Sequence, residues 1–426
     1  MSLNIPLSDL PRVVITGGGF AGLSLIRHIN KKEFQVILLD KNNYHTFQPL
    51  LYQVATGGLE VGSIAYPLRR YIKRYRNVIF RMAEVLSVSA EKKEIKTSFG
   101  ILRFDYLVIA TGSESNFFGN GLLEKKAMQM KNIPQALDIR SFLLQNFELA
   151  AQTTDPLLQK KLMTFVIAGG GPTGVEMAGA LAELKKHVLA EDYPDLDIHK
   201  MEIYLLEGSG RILGTMSAVA SEKAYRFLLR MDVKILLNTK LKDFDGEKVV
   251  TEDGREIPAK SLLWSAGVKG MVPPGFSPDV IIPGNRIRTN IYNQVESNEN
   301  VFAIGDVAAC VTNSTPDGHP MVASVAIQQG KLIASNLLQL KKGLPLKAFS
   351  YFDKGTLATI GRNKAVADFK KLKFQGILAW FIWIFIHLMA IVGFRSKIIT
   401  LFDWFWSYIS FDRALRLIIR PYKERT

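Results

Sequence analysis

Two glycine clusters and two acids carry the first chemical suggestion in this chain. Gly17, Gly19 and Gly22 stand in Gly-x-Gly-x-x-Gly spacing just after the apolar run Arg12–Thr16, and Gly169, Gly171 and Gly174 repeat that spacing after Thr164–Ala168. Between a strand and a helix such a cluster makes a tight turn, lets backbone approach a pyrophosphate and lets the helix pack closely on the strand. The first N–H groups of the helix then face the phosphates. Each cluster is followed by a second apolar run ending in an acid, Val36–Leu39 before Asp40 and Ile203–Leu206 before Glu207. A carboxylate there accepts from a ribose hydroxyl pair. One such motif is a weak signal; two, each with strand before, helix after and acid beyond, predict two bound dinucleotides. Glu207 would accept from a free 2′-OH and repel a 2′-phosphate, favouring NADH over NADPH, with Arg211 placed to soften that repulsion.

The elements that must hold these groups follow from the pattern. Short apolar runs alternating with helical stretches predict parallel α/β sheets. Phe104–Ala110 is a buried strand that ends at the Gly112 turn, and Ser261–Trp264 has the same shape ahead of Ala266 and Gly267. Asn300–Ile304 delivers Asp306 at its tip, and the stretch Lys185–Pro194 lengthens the second repeat as helix extension plus loop. The predicted fold is α/β, with two Rossmann-like dinucleotide-binding domains, the second inserted in the first, plus a C-terminal membrane-associated helical segment. The boundaries drawn are 1–118 and 275–344 for the first domain, 119–274 for the second and 345–426 for the C-terminal region.

Composition narrows the classes. The 426 residues are 48% hydrophobic, with 54 Lys and Arg against 39 Asp and Glu and a single Cys. That apolar fraction excludes a disordered chain. One cysteine excludes an internal disulfide, a CxxC redox pair and Cys-based metal centres, and no metal is expected. Cys310 reads as a packed core thiol. Nothing before Arg12 resembles a signal peptide, which points to the cytoplasmic side. A net charge of +15 raises nucleic acid as a partner, but no aromatic–basic nucleic-acid motif is present, and none is expected to bind. Part of the surplus flanks Gln375–Phe394, which contains no Asp, Glu, Lys or Arg and reaches the length of a candidate span. From Arg395 onward seven Lys and Arg, among them Arg413, Arg416 and Arg420, face three acids. A core helix, a true span and a helix in the headgroup plane compete. The aromatic and basic mixture favours the last, on anionic lipid. His387, inside the apolar run, reads as a helix-face histidine satisfied by a neighbour.

The paired glycine motifs, the Ala110–Gly112 turn and Gly305–Asp306 resemble the two-dinucleotide-binding-domain flavoprotein superfamily. Within it, Tyr44–Leu59, Gly171–Leu181, the Ser324–Gly330 stretch and the aromatic–basic C-terminus are similar to the type II NADH dehydrogenases, single-subunit NADH:quinone oxidoreductases. The resemblance implies FAD, held non-covalently, on Gly17, Gly19, Gly22, Asp40, Gln48, Gly112 and Asp306. NADH as substrate would lie on Gly169, Gly171, Gly174, Glu207, Ala266 and Gly267, with Glu176 beside the nicotinamide. It also implies a quinone, ubiquinone or menaquinone, near Ala323, Ser324, Gln328, Gln329 and Lys354. Ser324 stands where many members carry the first Gln of an Ala-Gln-x-x-x-Gln signature, and a serine reaches less far. Hydride would pass from NADH to the flavin and two electrons on to the quinone in a respiratory chain, without proton pumping. The site would be monotopic, on the cytoplasmic face of the cell inner membrane; a homodimer is left open. Two other readings remain at this stage, a reductase of a soluble electron carrier and an NADH-sensing binding module.

Overall fold

The computed structural model describes residues 4–296, 298–410, 415–418 and 421–422. Seven helices position the groups of interest: α1 (Phe20–His28), α2 (Leu51–Ala55), α3 (Ile133–Gln152), α4 (Pro172–His187), α5 (Ala323–Lys341), α6 (Ile377–Ala390) and α7 (Phe394–Ser410). The chain forms two compact units. The first gathers the chain up to His45, Tyr66–Glu114 and Val268–Asp353; the second gathers Thr46–Ala65, Ser115–Gly267 and the chain from Lys354.

The first unit is built on a five-stranded parallel sheet in the order Val301–Ala303, Tyr106–Ile109, Arg12–Thr16, Gln35–Asp40, Val78–Met82. Val13, Val14, Ile15 and Val36–Leu38 are wholly buried, as expected of strands covered on both faces. Helix α1 lies against α5 with little room between them. A Cβ on Gly330 would come within 2.5 Å of the Ala21 carbonyl oxygen, and the Ser24 hydroxyl donates to the Ile327 carbonyl at 2.7 Å.

The second unit repeats the plan: Met128–Gln129, Ser261–Trp264, Thr164–Ala168, Glu202–Leu206, Val233–Leu236, again all parallel. The repeat extends to single bonds. Gly17 N–H donates to the Leu39 carbonyl at 2.8 Å, and Gly169 N–H to that of Leu206 at 2.8 Å. The two halves share one topology, as the paired motifs predict.

The second unit also takes in segments remote in sequence. An antiparallel sheet, Thr356–Gly361, Lys364–Asp368 and Lys373–Gln375, backs onto α4 so closely that a Cβ on Gly179 would sit 1.8 Å from the Ile360 carbonyl oxygen. Ala379 of α6 packs with Ala365 and Ala367 of that sheet. The C-terminal region drawn from 345 is therefore divided: residues up to Asp353 belong to the first unit, and the chain from Lys354 to the second, where Thr46–Ala65 joins it through contacts such as the Ser63 hydroxyl on Asp403 at 3.2 Å. Helix α6 has 14 residues, about 21 Å of helix against a hydrocarbon core of about 30 Å. Among the described residues no helix is long and apolar enough to cross a membrane. The apolar run is broken at 391–393 before α7 begins, which removes the spanning reading of Gln375–Phe394.

Candidate functional site

In the first unit the turn from strand to α1 leaves one glycine open and two locked. Gly17 has φ +110°, and a Cβ there would meet the Ala110 carbonyl oxygen at 2.2 Å; one on Gly22 would meet the Gly17 carbonyl oxygen at 2.0 Å. Around Gly19, the N-cap of α1, nothing lies within 4 Å of such a Cβ. The open position faces the helix N–H groups that have no partner within the helix, a cradle shaped for an oxyanion. Asp40 closes its side. Its Oδ2 accepts from Gly18 N–H at 2.7 Å and its Oδ1 from Asn42 N–H at 2.7 Å. Burial raises the Asp40 pKa against the opposing pull of those two bonds. Gly112, at φ +78°, also leaves open space, and Asp306 accepts from the Ser113 hydroxyl at 2.6 Å. These residues fit a dinucleotide with its pyrophosphate at Gly19.

The second unit is arranged in the same way. Cβ atoms on Gly169 and Gly174 would clash with Ser265 backbone at 2.6 Å and with the Gly169 carbonyl oxygen at 1.9 Å, while Gly171 faces open space. Glu207 accepts from Gly170 N–H at 2.7 Å and from Ser209 N–H at 2.8 Å. Arg211 spends an Nη2 hydrogen bond on the Gly214 carbonyl at 2.7 Å. Ala266 is exposed beside Gly267, whose Cβ position is crowded by the Phe118 ring at 2.8 Å.

Glu176, two residues past Gly174, begins a stripe of α4 (Glu176, Ala180, Glu183, His187) that lines an open cleft with about 860 Å³ of empty space, its solvent-filled mouth included. The opposite walls are Tyr52, Gln53, Thr359–Arg362, Trp380, Trp383, Trp404 and Tyr408. The ring of Trp383 stacks on His387 at 4.1 Å and lies 5.6 Å from Trp404, whose indole N–H donates to Gln53 at 2.8 Å. Glu176 is buried and takes only a long bond, 3.5 Å, from Thr359 N–H. Desolvation pushes its pKa up to about 8; Thr359 and the nearby Trp383 indole oppose the rise, although that indole N–H makes no well-formed hydrogen bond. The result is a carboxylic acid that holds its proton at neutral pH beside an aromatic cleft. His387 is satisfied as expected, its Nδ1 bonded to the Trp383 carbonyl at 2.8 Å, and burial lowers its pKa to about 4.

The residues assigned to quinone by resemblance are dispersed in role. Gln329 is 1% exposed, and its side-chain oxygen accepts from Gly305 N–H at 2.7 Å, holding the turn that presents Asp306. Gln328 pairs its amide with the Phe352 backbone at 2.9 and 3.0 Å. Ser324, following Ala323 at the start of α5, bonds the Tyr351 hydroxyl at 2.8 Å. Lys354 and Gln48 are exposed, and Gln48 reaches only the Lys131 carbonyl at 3.4 Å. Sequence reasoning missed Gln53, Arg362 and the tryptophans as cleft walls. The one available signal was the three-residue spacing of Trp380 and Trp383, on a different face from Phe381 and Phe385.

Twin cradles on twin parallel sheets define a two-dinucleotide oxidoreductase, and the description "Pyridine nucleotide-disulphide oxidoreductase" matches residues 11–330. "NDH2 C-terminal domain" matches residues 354–413. The chain is 34% identical over 418 residues, 95% of its length and 89% of the relative's, to the type II NADH:quinone oxidoreductase Ndh of Mycobacterium tuberculosis, and 34% identical over 420 residues to NdhA of the same organism, covering 95% and 88%. A solved structure of NDH2 from Plasmodium falciparum in complex with NADH shares the fold with a TM-score of 0.87 at 20% identity, over 96% of this chain and 100% of that one. The chain belongs to the type II NADH:quinone oxidoreductases. The disulfide chemistry in the broader description is not available to it, since its one cysteine, Cys310, is buried and free.

Proposed function

We propose that this chain oxidises NADH and reduces a membrane quinone, with FAD in the Gly17–Gly22 cradle and NADH in the Gly169–Gly174 cradle. The observation that carries this reading is the equivalence of the two cradles, each with one open glycine and one carboxylate on the central glycine N–H. FAD, when bound, supplies the two-electron carrier between nicotinamide and quinone. The chain's own residues orient and insulate. Asp40 and Glu207 present carboxylates at the ribose positions, and the helix N-termini take the phosphates. Glu176 keeps its carboxyl proton in the cleft, where a quinone gaining two electrons must also gain protons. Ser324, Gln328, Gln329 and Lys354 act in this reading by shaping the loops around Asp306 and Phe352 and by supplying a cation.

Attachment to the membrane is also part of the proposal. On α6 Ile377, Phe381, Phe385 and Met389 recur every four residues and are exposed; on α7 Phe394, Ile398, Phe402, Phe405, Trp406 and Ile409 are exposed. Apolar faces of this kind suit helices lying in the headgroup plane, on anionic lipid at the cytoplasmic face of the cell inner membrane, with no protons pumped. The other readings, a soluble-carrier reductase and a sensing module, give way to the family assignment.

The test is anaerobic stopped-flow. NADH should bleach the yellow protein and a quinone should restore the colour; bleaching without recovery on quinone would defeat the acceptor assignment.

A further inference from the structure

Reduction of a quinone by NADH consumes a proton that NADH does not carry. The nicotinamide gives up a hydride, which is two electrons with one hydrogen nucleus, whereas the quinone takes two electrons and two protons. NADH, H⁺ and quinone give NAD⁺ and quinol, so each turnover draws one proton from water. On the quinone reading above, an acid that hands over a proton in the cleft must therefore be reloaded from bulk solvent every cycle. Glu176 is only 9% exposed, and its reloading needs a path.

Two further titratable side chains of α4 line the same cleft, Glu183 and, at the last position of the helix, His187. Along the helix axis the steps from Glu176 to Glu183 and from Glu183 to His187 are about 10 Å and about 6 Å. The strand Thr356–Gly361 and the turn after it fix where the two carboxyls lie. Glu176 accepts from Thr359 N–H. Glu183 accepts through Oε1 from Arg362 N–H, and that oxygen would stand 2.7 Å from a Cβ on Gly361. Thr359, Gly361 and Arg362 themselves line the cleft, so both carboxyls lie at one wall of it. On the helix face between them stands Ala180, whose methyl group leaves the intervening turn roomy. The gap is too long for one hydrogen bond and takes roughly two or three waters at about 2.8 Å spacing.

Exposure rises along the stripe: Glu176 is buried, and Glu183 and His187 are half-buried. Burial, then Lys186, lowers the His187 pKa from 6.5; Glu183 opposes the shift, and Arg362 and Lys364 add to it. The ring is therefore neutral at pH 7, and a neutral imidazole takes a proton on one nitrogen while releasing one from the other. The other titratable walls are Tyr52 and Tyr408, with the Arg362 guanidinium lying over the Tyr408 ring at 3.9 Å.

We propose that His187 and Glu183 form a proton inlet, passing protons from bulk solvent through water in the cleft to the carboxyl of Glu176. No electrons move in these steps. His187 takes a proton from water and yields one to Glu183, which yields one through the water chain to the carboxylate that Glu176 becomes when it protonates the reduced quinone.

The experiment uses the full-length, FAD-loaded protein and compares turnover on a soluble quinone with turnover on ferricyanide, which takes electrons without protons. The ratio of the two rates cancels differences in folding, flavin content and NADH binding. In dilute buffer at pH 8.5, Glu183→Gln and His187→Gln should each lower that ratio roughly fivefold or more through kcat, with little change in KM for the quinone. Added imidazole should restore most of the loss, and the variants should show a larger solvent deuterium isotope effect than wild type. Glu183→Gln keeps an oxygen for Arg362 N–H but has no acid proton to pass on; His187→Gln is the independent variant should it fold poorly. An unchanged ratio in both variants would overturn the inlet. A lowered ratio that neither imidazole nor deuterium oxide moves would also overturn it, since the two side chains would then only shape the cleft. Wild type that reduces ferricyanide but no quinone would defeat the acceptor reading, and the inlet with it.

Discussion

The carboxyl of Glu176 meets one backbone donor, Thr359 N–H, at 3.5 Å, and no cation among the described residues acts on it. A carboxyl left this poorly solvated keeps its proton, and its pKa stands at about 8 against 4.5 unperturbed. The folded state therefore binds one more proton than the unfolded state between those values, so stability falls as pH rises from about 4.5 to 8. The full difference is at most about 5 kcal/mol by the pKa conversion. Thermal unfolding of wild type and Glu176→Gln across pH 5 to 8.5 checks it: the wild-type Tm should drop relative to the variant as pH rises. Parallel curves would mean that Glu176 titrates normally.

One open and one locked glycine of the first cradle separate binding from folding. Gly19→Ala should fold and lose most of its flavin, because the new methyl meets no protein atom within 4 Å and enters the space left for phosphate. Gly22→Ala should lower stability by several kcal/mol, since its Cβ would lie 2.0 Å from the Gly17 carbonyl oxygen, an overpacking the backbone cannot absorb (about 1–3 kcal/mol or more). Flavin absorbance per protein and Tm, measured together, distinguish the two effects.

Glu207 should set the nicotinamide preference. Its carboxylate already holds Gly170 and Ser209, so Glu207→Gln removes negative charge but keeps one acceptor. The ratio of kcat/KM for NADH over NADPH should shrink about tenfold, equal to roughly 1.4 kcal/mol. An unchanged ratio would assign discrimination elsewhere.

Membrane attachment is best probed by point charges rather than truncation, because Ala379 and Trp383 of α6 are buried core residues. Phe385→Glu with Phe402→Glu should reduce recovery on anionic vesicles tenfold or more, each buried phenyl being worth about 1.5–3 kcal/mol. NADH oxidation by a soluble dye should remain close to wild type. Full recovery on vesicles would rule out these faces as the contact.

Some of this was legible in the residues alone. The glycine spacings and the terminal acids Asp40 and Glu207 specify two strand–turn–helix units, because the positive φ of Gly17 and Gly169 and the contacts of Gly22 with Gly17 and of Gly174 with Gly169 are local demands that favour glycine. The single Cys310 likewise removed disulfide chemistry without reference to any fold. What tertiary structure decided depends on contacts distant in sequence. The proton held on Glu176 comes from burial among Thr359, Trp383 and their neighbours, nearly 200 residues away, and no local pattern encodes desolvation. The amide of Gln329 turned inward onto Gly305, while that of Gln328 tied down the exposed Phe352 backbone. The apolar run after Gln375 became a short helix with one face on a sheet and one face bare, since hydropathy records how apolar a segment is but not which side of it finds a partner.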